Sequence, residues 1–541
     1  MAITTMSELP FSLDYPEVPV GSILAGSAAR YGDRVAFAHN DRSLTYREVY
    51  RDACRFANAL RANGIGDGDT VAIHLPNCLA YPVAYYGLLL AGATFTPANP
   101  LLPPADLAAQ LADSGAVAAI SFGKPAQALA SVRDQTSVRF VLDSPDEFTA
   151  FYAGRPTTRP EVEIDIRERL AHLAYTGGTT GRSKGVRLPH RNVVVNSLQY
   201  ACWSSGSVPA LDADGNLVLD QIGSEEEYPG RLGTGIGINL TPWFHAMGTI
   251  GGLNVLVLGG GTVVLHDGFD PARYLADAER LQVTQLGGAP ALFAALLTCP
   301  DFHTRDLSSV RSISSGAAPM PHEMIKVLAR RFPGAVINEG YGLTEVTMGA
   351  TSGPASRSAV RKPGTVGVPV FDTEVKIVPA EGGEEPLRPG ERGEVCIRGP
   401  QVMAGYHNRP EETATVLVDG WLHTGDIGVL DKEGYLSIVD RKKDMLLYKG
   451  YNVYPRELEE LLMAQPGVVA AAVVGRERAD VGELPVAFVV RSDSSATEEQ
   501  LMASVNANVL PYKRIRELIF VDAIPVSAAG KVLKRELRAR L

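Results

Sequence analysis

Cysteine is scarce in this chain. Cys54, Cys78, Cys202, Cys299 and Cys396 are scattered over 541 residues without paired spacing, so neither a zinc site nor a disulfide framework is indicated. A reducing cytoplasm suits that usage. An excess of positive charge is also missing: the net charge of −10 argues against general nucleic-acid binding, which needs a basic face. The most apolar stretches, Tyr81 to Pro97 and Thr249 to His266, are broken by glycine, proline or polar residues, so neither reads as a membrane span. The first residues lack a basic segment followed by an apolar core, and no signal peptide is expected. No fixed-period repeat or low-complexity tract is evident.

What is present is the composition of a soluble globular protein, 45% hydrophobic and 21% charged, in a chain too long for one core. From Val35, short β-branched runs alternate with helical patterns: RVAFA, TYREVYRDACRFANALRANG, TVAIHLP, then a helix through Tyr85 and Leu90. The alternation continues through VAAISF, VRFVLD, TVVLHD, VTQLGGAP and VRSISSG. It predicts parallel α/β sheets with crossover helices, whose ligands gather at the carboxyl ends of strands. From about Gly364 to Val439, glycine turns separate EVKIVP, GEVCIRG and YLSIVD, which predicts a distorted β-barrel. After Asp440 a compact α+β unit follows: RELEELLMAQ, VVAAAVVGR, LPVAFVV, EEQLMASVNANV and KVLKRELRARL. The expected domains are residues 1–440 and 441–541, joined at Arg441 to Lys443.

The most informative segment is YTGGTTGRSKG, Tyr175 to Gly185. Glycines let backbone N–H groups approach phosphate oxygens, and threonine hydroxyls and a lysine add donors. It is not a Walker A loop, because Lys184 follows Ser183 and precedes Gly185. HLAYT before it reads as a strand and HRNVVVNSLQY after it as a helix, an order that would aim a helix N-terminus at the phosphates. A linker or plain hairpin is the alternative reading of the same residues.

Together with TPWFHAMG (241–248), SSGAAPM (314–320), NEGYGLTE (338–345), GWLHTGDIG (420–428), DRKKDMLLYKGYNVYPRELE (440–459) and PVSAAGKVLKREL (525–537), this loop resembles the acyl-adenylate-forming superfamily. That group holds acyl-CoA synthetases, peptide-synthetase adenylation domains and firefly luciferase, and DRKKDM and GYNVYP look most like bacterial fatty acyl-CoA synthetases. The segments occur in family order over nearly the whole chain. Ser183 stands where the family usually has proline, and the connection from Cys202 to Asn239 is longer than usual there. Within that connection DADGNLVLD carries a turn signal and predicts a hairpin, either a tolerated surface insertion or a gate for substrate or partner.

The resemblance implies ATP, a magnesium ion and a thiol acceptor, and it assigns roles. Lys184, with Thr176, Gly177, Gly178, Thr179, Thr180 and Gly181, would hold the β and γ phosphates. Glu345 and Thr176 would bind the magnesium ion, and Thr344 would touch the α-phosphate. Tyr341 would stack on adenine beside Gly316, Ala317 and Ala318, with Glu339, Gly340, Gly342 and Ile438 completing the nucleotide site. Asp426 would accept the ribose hydroxyls, supported by Arg441. Lys531 would neutralise the substrate carboxylate and the α-phosphate as they meet. Trp243, His245, Met247, Gly288, Gly316, Gly340 and Thr347 would form the acyl pocket, with His245 as gate to a pantetheine tunnel. The small domain would turn about Lys443 to bring Lys449, Gly450 and Tyr451 to the thiol acceptor. Leu447, where luciferase-like chains carry lysine, disfavours oxygenase chemistry.

TPWFHAMG has no acidic residue to hold an α-ammonium, which disfavours amino acids. A fatty acid fits an apolar pocket, and an aryl carboxylate fits it too. The thiol is either CoA or the phosphopantetheine of a carrier protein, with Arg476, Arg478, Lys513 and Arg514 able to meet either acceptor. A kinase using the glycine loop would release ADP in place of AMP and pyrophosphate. A non-catalytic nucleotide-binding relative would have lost the reactive charges, whereas Lys184, Glu345, Asp426 and Lys531 are all retained.

Overall fold

The computed structural model describes residues 8–176, 183–316, 318–478, 480–492, 496–526 and 532–541. The alternating pattern of the first half builds two sheets. One has six strands in the order Phe140–Leu142, Ala116–Ile120, Thr70–Ile73, Thr94–Pro97, Leu170–Thr176, Lys184–Pro189, parallel except for the last pair. The other has nine. Its inner strands Val336–Tyr341, Ser312–Ser315, Gln285–Gly288, Ile236–Asn239, Thr262–Leu265 and Val35–His39 run parallel, and antiparallel strands close both edges. The N-terminal strand Val35–His39 thus crosses into the second sheet, pairing in parallel with Thr262–Leu265 on one side and antiparallel with its sequence neighbour Arg42–Thr45 on the other.

Helix Tyr46–Ala62 starts at a capping box, in which Thr45 Oγ1 accepts from the Glu48 amide at 3.2 Å and the Glu48 carboxylate accepts from the Thr45 amide at 2.8 Å. It buries Val49, Ala53, Phe56, Ala57 and Leu60 at helical spacing against helix Ala80–Leu90. That second helix is apolar all round, and all its residues but Ala80 are buried.

Residues 374 to 441 form a five-stranded antiparallel sheet, in which Arg392–Arg398 and Trp421–Leu430 are central. Register shifts at Glu394/Cys396 and Ile427/Gly428 bend it, which is the curl expected of a distorted barrel. The C-terminal unit has its own sheet, built on Val468–Arg478 and Gly482–Arg491. Alternation sends Val473 and Val489 to one core with Leu458 and Leu501, and Ala472, Val474 and Phe488 to another with Leu537. Among the described residues no helix is long and apolar enough to cross a membrane.

Four histidines are buried in the large unit, His266 beside Asp277 and three others that face no carboxylate. The His74 ring meets Ser121 Oγ at 2.9 Å, His172 meets the Tyr85 hydroxyl at 2.8 Å, and His190 Nδ1 accepts from the Val20 amide at 3.2 Å. Burial lowers all three, His74 to about 4 and His172 and His190 to about 3. Because the folded values lie below the unfolded one, the neutral rings stabilise the fold above pH about 6.5, and this stability is lost as pH falls toward the folded values. Denaturant midpoints are therefore expected to drop between pH about 6.5 and 4, and replacing His172 by glutamine should flatten that dependence. A midpoint independent of pH over this range would refute the assignment.

Candidate active site

A cavity of about 1860 Å³ opens where the strands of the second sheet end and where the antiparallel sheet and the C-terminal unit meet them. Gly288, Ser315 and Tyr341, last residues of three adjacent parallel strands, all line it. One part of the wall is polar and the other apolar.

The polar part carries residues expected at the nucleotide, among them Tyr341, Asp426 and Arg441. Tyr341 Oη donates to Asp426 Oδ2 at 2.5 Å, and Arg441 Nε lies 3.7 Å from Asp426 Oδ1. Asp426 and Arg441 face each other because strands Trp421–Leu430 and Leu436–Arg441 pair them directly in register. Burial and the Asp426 carboxylate hold the Tyr341 phenol well above its ordinary range, so it stays protonated as a donor. Thr344 and Glu345 follow in a short 3-10 turn and also line the cavity. Glu345 Oε1 accepts from Tyr406 Oη at 2.8 Å. Glu339 lines the same wall, accepts from the Met320 amide at 2.8 Å and is raised by burial. Gly340 and Gly316 line it too. Gly342 is fixed by sterics, since a Cβ there would overlap the carbonyl oxygen of Met348. Gly342→Ala should therefore displace the Thr344–Glu345 turn, lower the unfolding midpoint and weaken nucleotide binding together. An unchanged midpoint with full ATP affinity would refute this.

The glycine loop departs from the strand-to-helix expectation. Thr176 pairs with Lys184 in an antiparallel pair of strands, so a second strand and not a helix follows the loop. The helix His190–Ser205 begins only after the second strand, about 20 Å of extended chain later. Its first amides are taken, His190 N donating to Arg169 O and Arg191 N to Ile166 O. No helix dipole is therefore aimed at the loop. Gly177, Gly178, Thr179, Thr180 and Gly181 lie outside the described residues, as do Ala317 and Lys531. Lys184 is ion-paired with Glu412 at 2.5 Å and sits 4.8 Å over the Tyr406 ring, next to but not on the cavity wall. Ile438 is also off that wall, and its carbonyl accepts from Arg456. Ala318 likewise does not line the cavity.

The apolar part includes Ile238, Leu240, Met247, Val255, Leu256 and Leu292. His245 and Gly288 stand on this wall as expected. Met247–Val255 is a π-helix, an uncommon element that sequence patterning does not announce. Two expected pocket residues stand behind it. Trp243 is wholly buried between Phe37 and Tyr81, at 5.8 and 5.3 Å between ring centres, where its indole supports the π-helix by donating to Gly252 O at 3.3 Å. Thr347 is buried too, at φ +69°, and donates to Gln401 O at 2.7 Å. Both are scaffold, because neither reaches the cavity.

The C-terminal unit contributes Val532, Leu533 and Arg535 to the cavity, alongside Lys442 and Lys443. Lys442 and Arg535 fall within the motifs at 440–459 and 525–537 but carry no role there, and Arg409 stands in no motif, so only three-dimensional proximity reveals their place on the wall. Burial and the neighbouring Arg441 lower the Lys443 ammonium. The unit is tied down by Arg456, whose amide donates to Asp440 at 3.0 Å and whose guanidinium donates to Ile438 O. Lys449 and Gly450, at φ +51° and +80°, form the two-residue turn between strands Leu446–Tyr448 and Tyr451–Val453. This turn is away from the cavity, and Tyr451 stacks on Tyr512 at 4.8 Å. Arg476, Arg478 and Lys513 are each satisfied by a carboxylate, Glu517, Asp480 and Glu457 respectively.

Among the described residues no group of three His, Cys, Asp or Glu could cage a metal. Glu345 alone fits magnesium, which takes one or two carboxylates when substrate phosphates supply the remaining oxygens.

Residues 24–407 match the AMP-binding enzyme family, and residues 457–531 match the AMP-binding enzyme C-terminal domain. The chain is 33% identical to the long-chain-fatty-acid–CoA ligase of Bacillus subtilis (strain 168), over 98% of its length and 96% of the relative's. It is 36% identical to a feruloyl-CoA synthase of Amycolatopsis sp, over 93% of this chain and 95% of that one. The structure of ATP-bound MatB from Rhodopseudomonas palustris superposes with a TM-score of 0.85 at 28% identity, covering 97% of this chain and 99% of the other. The chain belongs to the AMP-binding enzyme family and is an adenylate-forming ligase.

Proposed function

We propose that this ligase activates a medium or long fatty acid and passes it to CoA. The carrying observation is the two-part cavity, whose apolar side presents Ile238, Leu240, Met247, Val255, Leu256 and Leu292 without a charged residue among them. Apolar burial is worth about 0.8 kcal/mol per methylene, so such a wall rewards a long alkyl chain. In the first step a carboxylate oxygen attacks the α-phosphorus of ATP, forming acyl-AMP and expelling pyrophosphate. In the second a thiolate attacks the acyl carbon, forming the thioester and expelling AMP.

Tyr341 stacks on adenine, and Asp426, braced by Arg441, accepts from the ribose hydroxyls. The loop at residues 176–184 holds the β and γ phosphates, with Lys184 leaving Glu412 for them. Glu345 and the Thr176 hydroxyl would hold a magnesium ion, which would supply positive charge to the phosphates. Thr344 orients the α-phosphate and Lys531 draws the two anions together. Withdrawal of the C-terminal unit about Lys443 then brings Lys449, Gly450 and Tyr451 toward the thiol, past His245.

An aryl acid is the second reading, favoured by the glycines Gly251, Gly252, Gly287 and Gly288, which leave the wall without side chains there. Pyrophosphate release should be measured over straight-chain and aryl acids, and thioester formation with CoA and with a holo carrier protein side by side. Turnover confined to fatty acids with CoA is the expected result. Preference for aryl acids, or for the carrier protein, would overturn the corresponding half of the proposal.

A further inference from the structure

The connection between helix His190–Ser205 and strand Ile236–Asn239 is not a loose surface loop. Its first part is the hairpin Ser207–Leu211 and Leu217–Gln221, as the Asp-Gly signal predicts, turning at Asp212 to Asn216. The hairpin lies on helix Gly21–Tyr31, where Leu217 N donates to Ser22 Oγ at 2.9 Å. Its second part is locked from within. Tyr228 is fully buried, and a Cβ at either Gly206 or Gly223 would overlap its ring. Gln221 Nε2 donates to both Ser205 O at 2.6 Å and Gly230 O at 3.0 Å, while its Oε1 accepts from Leu232 N at 3.1 Å. Arg357 and Ser358 clamp the outside through Glu227, with the Ser358 hydroxyl donating to the Glu227 carboxylate at 2.6 Å.

This bracing delivers Pro229 and Gly230 to the cavity, beside Trp203 and Ser204 of the preceding helix. Gly230 packs so closely that an added Cβ would lie 2.6 Å from the Ser204 carbonyl oxygen. The insert is anchored by Ser22, Ser205, Arg357 and Ser358, which lie on elements other than those that carry Tyr341, Asp426 and Arg441. Helix His190–Ser205, which carries Trp203 and Ser204, packs on the π-helix Met247–Val255 of the apolar wall, and the internal bonds make the insert a fixed surface rather than a gate.

We propose that the insert of residues 206–230 is a length-setting wall, where Pro229 and Gly230 close the cavity beside Trp203 and Ser204 and fix the longest acid turned over. This rests on the fatty-acid reading above. Saturated straight-chain acids of increasing length are assayed for pyrophosphate release with wild-type enzyme, Pro229→Trp, Ser204→Trp and Pro229→Ala, each checked for its unfolding midpoint and ATP binding. The ratio of kcat/KM for the longest accepted acid to that for a short acid should fall at least tenfold in either tryptophan variant. In Pro229→Ala it should rise severalfold, and that conservative variant decides the matter if the bulky ones fail to fold. Unshifted ratios in folded variants of an enzyme that does follow chain length overturn the wall alone. A wild-type enzyme indifferent to all straight-chain acids overturns the fatty-acid reading and the wall with it.

Discussion

Replacing Lys531 by alanine is expected to lower carboxylate-dependent ATP–pyrophosphate exchange by about 10²–10³-fold, the usual cost of removing one preorganised charge-stabilising donor. The two reactants are both anions, and unit charges 4 Å apart repel by about 4 kcal/mol at an effective dielectric constant of 20. A positioned ammonium removes that penalty only while the anhydride forms. Lys531 itself lies outside the described residues, and the residues that follow it, Val532, Leu533 and Arg535, line the cavity. The same variant, supplied with preformed acyl-AMP, should transfer to the thiol within a few-fold of the normal rate, because no anionic pair needs to be joined in that step. Normal exchange by the variant would refute the role, and so would equal loss in both half reactions.

The second large effect is expected at Asp426. Its carboxylate accepts from Tyr341 and faces Arg441, so Asp426→Ala strips two neighbours of their partner as well as removing the ribose acceptor. Charge-assisted hydrogen bonds are worth about 1.5–3 kcal/mol each, which predicts a rise in KM for ATP of about tenfold to a hundredfold. Tyr341→Phe keeps the ring and loses only the hydroxyl, and it should weaken ATP binding by less. Steady-state kinetics in ATP at saturating acid distinguishes the two. If the alanine variant bound ATP as the wild type does, Asp426 would be a strand-pairing residue and not a nucleotide ligand.

Much of this architecture is written in local pattern. The parallel α/β segments, the curled antiparallel sheet, the α+β unit after Asp440 and the Ser207–Gln221 hairpin each follow from alternation, helical spacing or a turn signal within one window of sequence. Long-range pairing is not so written. Val35–His39 has the composition of any buried strand, and nothing in its residues chooses Thr262–Leu265 as partner over nearer strands. The expected helix HRNVVVNSLQY is present, but KGVRLP before it is a strand, because it pairs with Leu170–Thr176, and Val186 also bridges to Tyr406. In the site, motif resemblance located Tyr341, Asp426 and Glu345 on the cavity. It could not separate Met247, which lines the cavity, from Trp243, which faces away within the same short motif, nor show that Thr347, just beyond NEGYGLTE, stands off the wall. Tyr406 and Glu412, the partners of Glu345 and Lys184, carry no local mark of those contacts.

The strand that ends in Arg441 is at once a side of the nucleotide pocket and the lead into Lys442 and Lys443. A change at the Asp426–Arg441 pair is therefore expected to be felt both at the cavity and at the lead into the C-terminal unit. By thermodynamic reciprocity, any force that turns this lobe must change how tightly the nucleoside is gripped, and a tighter grip must resist the turn by an equal free energy.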